Sequence, residues 1–200
     1  MFLGGDERGR NVVGPVVGVL LAAGGGRRFG MPKVMAQDGG WLRLAVEALA
    51  EGGCDHVLVV LGAAVVEVPP PGVAVVNPDW GSGLSSSVRS GIAAAQRLGA
   101  SRLVIHLVDL PGVGPEVVRR VLAASVDASV VRAGYHGEPG HPVSLPGDCL
   151  PELSAALVGD RGAGAWLSSR PEMRLVACED LTDGVDQDTP GISKSKPYRE

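Results

Sequence analysis

Residues 16–23 are almost unbrokenly apolar, and the run stops at Gly24-Gly25-Gly26. An apolar run without polar alternation suits a strand buried on both faces, as in parallel sheets. Downstream the pattern alternates between two periods. Leu42, Ala45, Val46 and Leu49 mark one helical face that ends at Gly52-Gly53, and Leu84, Val88, Ile92, Ala95 and Leu98 mark another closed by Gly99. Strand-like runs occur at 56–61, at 73–76 beyond Pro69-Pro70-Pro71, and at 102–108, which leads into Asp109. The second half is less regular: helical patterns at 115–124, 150–157 and 163–168, and strand-like segments at 129–133, 142–145 and 174–177.

Strands interleaved with helices imply an α/β fold. We expect a single three-layer, doubly wound, mostly parallel sheet that binds ligands beyond the C-terminal ends of its strands. The expected domain spans 16–190, between a ragged leader (1–15) and a polar, frayed tail (191–200).

Composition narrows the function. Two hundred residues suffice for one domain with a substantial core. A net charge of −4 and a pI near 5.6 disfavour a nucleic-acid partner, so any anion site must be local. Cys54, Cys149 and Cys178 are odd in number and form no Cys-x-x-Cys pair, which fits reduced thiols in a cytoplasmic protein. The first apolar stretch is interrupted by Gly14, Pro15 and Gly18, is too short to span a bilayer, and has its Arg pair after it. No membrane association is expected.

The glycines are followed by Arg27, Arg28 and Lys33. Bare backbone N–H groups beside cations suit phosphate. A Walker A loop fails, because Met31-Pro32-Lys33 follows Gly30 where Lys-Ser/Thr is required. A dinucleotide fingerprint also fits poorly. Phe29 occupies the third glycine position, and the 56–61 strand ends in Gly62-Ala63 with no carboxylate for a ribose.

Asp109 stands where a buried strand emerges, so it can hold a divalent cation at the ligand rim; on the residues alone, an Asp opening a turn before Pro111 suits it equally. Residues 77–87 place Gly81, Gly83 and several serines before a helix, offering either a capped turn or N–H groups for a polar ligand. His56 and His106 lie in apolar strands as core side chains, and the four histidines have no metal-ligand spacing.

The stretch from Leu20 to Lys33 resembles the opening motif of the MobA-like nucleotidyltransferases, Leu-Ala-Ala/Gly-Gly-x-x-x-Arg-Met-Gly-x-x-Lys. Ala22, Ala23, Gly24, Arg28, Gly30 and Lys33 match, with Phe29 in place of Met. Asp109-Leu110-Pro111 resembles the family's Asp-Met-Pro metal motif, and Trp80, Gly83, Leu84, Ser87 and Gly91 loosely follow its base-and-ribose segment. Gly140-His141-Pro142-Val143 is similar to an acceptor-side element. Gly159-Asp160-Arg161-Gly162-Ala163 is similar to Gly-Asp-x-Gly-Ala-Arg, although Gly164 replaces the final Arg. Residues 186–190 resemble a closing Asp-x-Asp-Thr-Pro element. The blocks occur in family order along nearly the whole chain.

The resemblance implies a Mg²⁺-dependent nucleotidyltransferase. Arg28, Lys33 and Asp109 would carry the chemistry, and Asp109 with Asp186 would hold the metal. Ala22, Ala23, Gly24, Gly25, Gly26, Gly83, Ser85 and Ser87 would bind the nucleoside triphosphate, and His141 would contact the acceptor. It further implies CTP and molybdopterin as substrates, with a molybdenum enzyme as client. Alternatives are a guanylyltransferase for another phosphorylated acceptor, an oxidoreductase on this fold like the nicotine blue reductases, and a non-catalytic maturation partner.

Overall fold

The computed structural model describes residues 14–125 and 129–187. The predicted leader up to residue 13, the 191–200 tail and Asp188-Thr189-Pro190 lie outside the described residues. The first strand, β1 (Val16–Leu21), is central and nearly sealed from solvent. Its Val17, Val19 and Leu21 point into one core layer, while Leu20 and Ala22 join the other. Burial on both faces explains the unbroken apolar run.

The chain continues through α1 (Gly40–Glu51), β2 (His56–Leu61), β3 (Gly72–Val76), α2 (Leu84–Arg97), β4 (Arg102–Leu107) and α3 (Pro115–Ala123). It then forms β5 (Val131–Tyr135), β6 (Glu138–Pro146), α4 (Leu150–Ala156), α5 (Gly164–Ser168) and β7 (Arg174–Ala177). The seven strands form one sheet in the order β3-β2-β1-β4-β6-β5-β7. All neighbours are parallel except at β6, which runs antiparallel to both β4 and β5. Side chains of α1 and α3 pack on one face, and those of α2, α4 and α5 on the other. The expected three-layer, mostly parallel α/β fold is what forms.

The layers approach closely where side chains are absent. A Cβ on Gly91 of α2 would meet Val19 Cγ1 at 2.5 Å, and one on Gly18 would meet Cys54 Sγ and Leu49 Cδ1 at 3.2 Å. Only glycine allows α2 to lie this close to β1.

Three local expectations are corrected. Val88, Ile92 and Ala95 are buried, but Leu84 and Leu98 are exposed; Ser85, Gly91 and Ala94 complete the inner face of α2. Of the strands of the second half, β7 forms where expected, but β5 is shifted and β6 is longer, because 131–146 is a hairpin turning at His136-Gly137. Both turn residues have positive φ (53° and 84°), as a two-residue type I′ connection requires. Pro139 and Pro142 disguise the outgoing strand, since each removes a ladder donor. His56 is exposed at the start of β2, whereas His106 is fully buried as expected.

Candidate functional site

The backbone leaves β1 and continues its ladder for two residues, with Ala22 N–H donating to Val60 and Ala63 N–H donating to Ala23. The glycine turn follows. Gly26 has φ +59°, and a Cβ there would overlap the Met31 carbonyl oxygen. Gly30 N–H closes the loop onto the Gly26 carbonyl at 2.8 Å. Phe29, the departure from the family pattern, is buried with its ring 5.2 Å from that of Trp41. It pins the loop to α1 and leaves Arg28 exposed at the rim, with no hydrogen bond or ion pair to any described residue.

This loop forms one wall of a cleft of about 490 Å³ at the C-terminal ends of β1 and β4. Among the residues the sequence singled out, Ala22 to Gly26, Arg28, Lys33, Gly83, Ser87 and Asp109 line it, and Arg27 joins them. Lys33 Nζ donates to Asp109 Oδ2 at 2.9 Å, in a pair that keeps only 16% and 21% of its side-chain surface exposed. Trp80 closes the side of β2: its ring would lie 3.5 Å from a Cβ on Gly25, and its Cβ only 2.5 Å from one on Gly62. Buried Asn77 donates to both Ser86 Oγ and Ser87 Oγ, at 2.9 and 3.1 Å, and so fixes Ser87 on the cleft wall.

Other predicted residues lie elsewhere. Ser85 does not line the cleft; its Oγ is buried in the core side of α2 without a partner. His141 and Asp186 line a neighbouring hollow of about 360 Å³ together with Arg132 and Tyr135. The two hollows share Leu107, so they open on either side of the end of β4. The chain after β7 returns to this junction, where Gln187 N–H donates to the Asp109 carbonyl at 2.9 Å. Tyr135 Oη donates to the His141 carbonyl, and Arg132 Nε donates to that of Gly140. A roomier groove of about 790 Å³, between the start of α1 and the β2–β3 connection, gathers no comparable set of cations and lies outside this constellation.

In the sequence, Asp160 falls within a family-like element without an assigned role, and Arg132 is not singled out. Asp160 comes from the 159–162 turn, which crosses the start of α2 where Gly83 stands, while Arg161 is exposed and outside the cleft. No local signal in the sequence shows that this turn reaches the glycine loop.

Buried groups near the site stay uncharged. His106 is pushed down to about 3 by burial, with His141 nearby lowering it further and Asp109 opposing. His141 is pushed down to about 4, by burial first and Arg132 second. At the opposite end of the sheet, burial raises the Cys54 thiol to about 12 and that of Cys149 to about 11, so neither is a thiolate at neutral pH.

Known proteins fit this picture. The chain is 36% identical over 192 residues to the nicotine blue oxidoreductase of Paenarthrobacter nicotinovorans, covering 87% of this chain and 92% of that protein. Among solved structures, Rv0371c from Mycobacterium tuberculosis H37Rv superposes with a TM-score of 0.75 at 26% identity, covering 89% of this chain and 95% of that one. A manganese complex of Rv0371c matches with a TM-score of 0.64 at 25% identity, over 82% and 88% of the two chains. The MobA-like NTP transferase domain model matches residues 18–174, and this chain therefore belongs to the MobA-like NTP transferase family of nucleotidyltransferases.

Proposed function

We propose that this protein transfers a cytidylyl group from CTP to a phosphorylated acceptor of the molybdopterin type, releasing pyrophosphate. The observation that carries the reading is a pair of hollows that share Leu107 at the end of β4: one is glycine- and cation-lined and holds the Lys33–Asp109 pair, the other holds His141, Arg132 and Asp186. An acceptor phosphate oxygen attacks the α-phosphorus, a P–O–P bond forms, and the bond to pyrophosphate breaks. A phosphate nucleophile is anionic at neutral pH, so no general base is needed. Catalysis is then positioning and charge stabilisation.

The chain's own groups suit that task. N–H groups of Gly24, Gly25 and Gly26 and the Lys33 ammonium face the phosphates, and exposed Arg28 is free to swing onto them. Asp109 and Asp186 would hold Mg²⁺. The remaining ligands of such an ion would be triphosphate oxygens and water. Bound there, Mg²⁺ would neutralise the charge that builds on the transferring and leaving phosphates. Among the described residues no helix is long and apolar enough to cross a membrane. Three free thiols suit the reducing cytoplasm in which we place the protein.

The 36% identity to a nicotine blue oxidoreductase supports a second reading, reduction on the same fold. Against it stands the end of β2, where Gly62 packs against Trp80 and no carboxylate receives a dinucleotide ribose. The two readings separate in one comparison. Thermal stability and product formation are measured with CTP, GTP, ATP and UTP in Mg²⁺, beside NADH and NADPH oxidation with a quinonoid dye. The transferase reading expects stabilisation by CTP and release of pyrophosphate. Pyridine-nucleotide oxidation without either would overturn it.

A further inference from the structure

The cleft described above is built for anions, yet one of its lining groups is itself an anion with nothing to hold. Asp109 is paired with Lys33, but Asp160 has no hydrogen bond or ion pair to any described residue. An ionised carboxylate only accepts hydrogen bonds. Beside a triphosphate it would repel, unless the ligand presents a donor to it.

Its position is held by packing. A Cβ on Gly83 would meet Asp160 Oδ1 at 2.6 Å and the Gly159 carbonyl oxygen at 2.7 Å, so the turn lies directly on the start of α2. Gly162, with φ +53°, faces Leu84 Cδ2 in the same way, at 2.7 Å from where its Cβ would stand. Arg89 of α2 donates to the Leu157 carbonyl at 2.8 Å and fastens the chain as it enters the turn. A surface turn tied down at three points holds the Asp160 backbone at the edge of the cleft, with its exposed carboxylate among the lining groups. Preorganised groups of this kind contribute to selectivity because little ordering accompanies binding.

On the transferase reading, and resting on it, we infer that Asp160 is a specificity residue for the nucleoside half of the triphosphate. It accepts a hydrogen bond from a donor there: a ribose hydroxyl or the exocyclic amine of cytosine. The phosphates offer no donor to a carboxylate at neutral pH, whereas both of these groups do.

The test is calorimetric binding to wild type, Asp160→Asn and Asp160→Ala in Mg²⁺. The ligands are CTP, 2′-deoxy-CTP, 3′-deoxy-CTP, UTP and inorganic tripolyphosphate. Both variants should melt like wild type and bind CTP about tenfold or more weakly, as expected for a lost charge-assisted hydrogen bond. Tripolyphosphate should bind all three proteins within about twofold, or the variants slightly better, since a negative charge has gone. The source of the donor shows as the nucleotide that no longer distinguishes wild type from variant: UTP if the amine, a deoxy analogue if a hydroxyl. Unchanged CTP binding, an equal loss with tripolyphosphate, or a shift in the Mg²⁺ requirement without a change in nucleotide discrimination would each overturn the inference. If folded wild type binds no nucleoside triphosphate, the transferase reading itself fails, and that result is distinct from the others.

Discussion

Lys33 and Asp109 lie 76 residues apart in sequence and meet at 2.9 Å, bridging the ends of the adjacent strands β1 and β4. The pair places a cation beside the carboxylate proposed to hold the metal, in the glycine-lined cleft. Asp109→Asn should abolish most transferase activity while leaving the melting curve near that of wild type, because an amide is a poor ligand for Mg²⁺. Lys33→Ala and Arg28→Ala should each lower turnover by about 10²–10³-fold, the effect of removing one preorganised group facing developing charge. Near-normal rates at limiting Mg²⁺ in Asp109→Asn would remove the metal role.

Gly26 and Gly24 should respond differently to the same substitution. Gly26 has φ +59° and would drive a methyl into the Met31 carbonyl, whereas nothing lies within 4 Å of a Cβ on Gly24. Gly26→Ala should therefore distort the loop, at a cost of about 1–3 kcal/mol, and lose nucleotide binding. Gly24→Ala should keep wild-type stability in urea denaturation.

Gly91→Ala tests the packing of α2 on β1. Its methyl would come within 2.5 Å of Val19 Cγ1, so the helix must shift outward. A loss of about 1–3 kcal/mol is expected for an overpacked core. Because α2 begins at Gly83 and carries Ser87, nucleotide affinity should fall as well.

Acid should destabilise the protein through its buried histidines. In the unfolded chain both titrate near 6.5, but the fold holds His106 at about 3 and His141 at about 4. Between pH 6.5 and 4 the unfolded state binds more protons than the folded state, so stability is complete above about pH 6.5 and declines as pH falls. Each histidine contributes a slope of about 1.4 kcal/mol per pH unit at most. His106→Leu should flatten the dependence between pH 7.5 and 5 in denaturant titrations. It should also be tolerated, because neither ring nitrogen has a hydrogen-bond partner among the described residues. An unchanged slope would show that His106 is not the group responsible.

Ala23→Gly should relax nucleotide choice. The Ala23 methyl is buried beside Gly62, where a Cβ would come within 2.8 Å of it, and both pack next to Trp80. With the methyl in place CTP should bind better than GTP, and its removal should narrow the gap by making room for a purine. Competition binding decides this, and tighter GTP binding by wild type would redirect the proposal to guanylyl transfer.

The sequence by itself determined the sheet's central strands and the glycine-rich loop that follows β1, because both are written locally. An unbroken apolar run such as 16–21 suits burial between two helical layers, and three consecutive glycines end such a run in a turn. The hairpin at 131–146 was hidden, since its prolines weaken the strand signal and its turn depends on two positive φ angles at His136 and Gly137. Only the tertiary structure decided that Ser85 turns into the core while Ser87 faces the cleft, that Phe29 anchors the loop through Trp41, and that Asp160 joins a cleft whose glycine loop lies more than a hundred residues earlier. Helix rotation, long-range packing and the meeting of separate strand ends are properties of chain closure. A local pattern of residues carries no record of them.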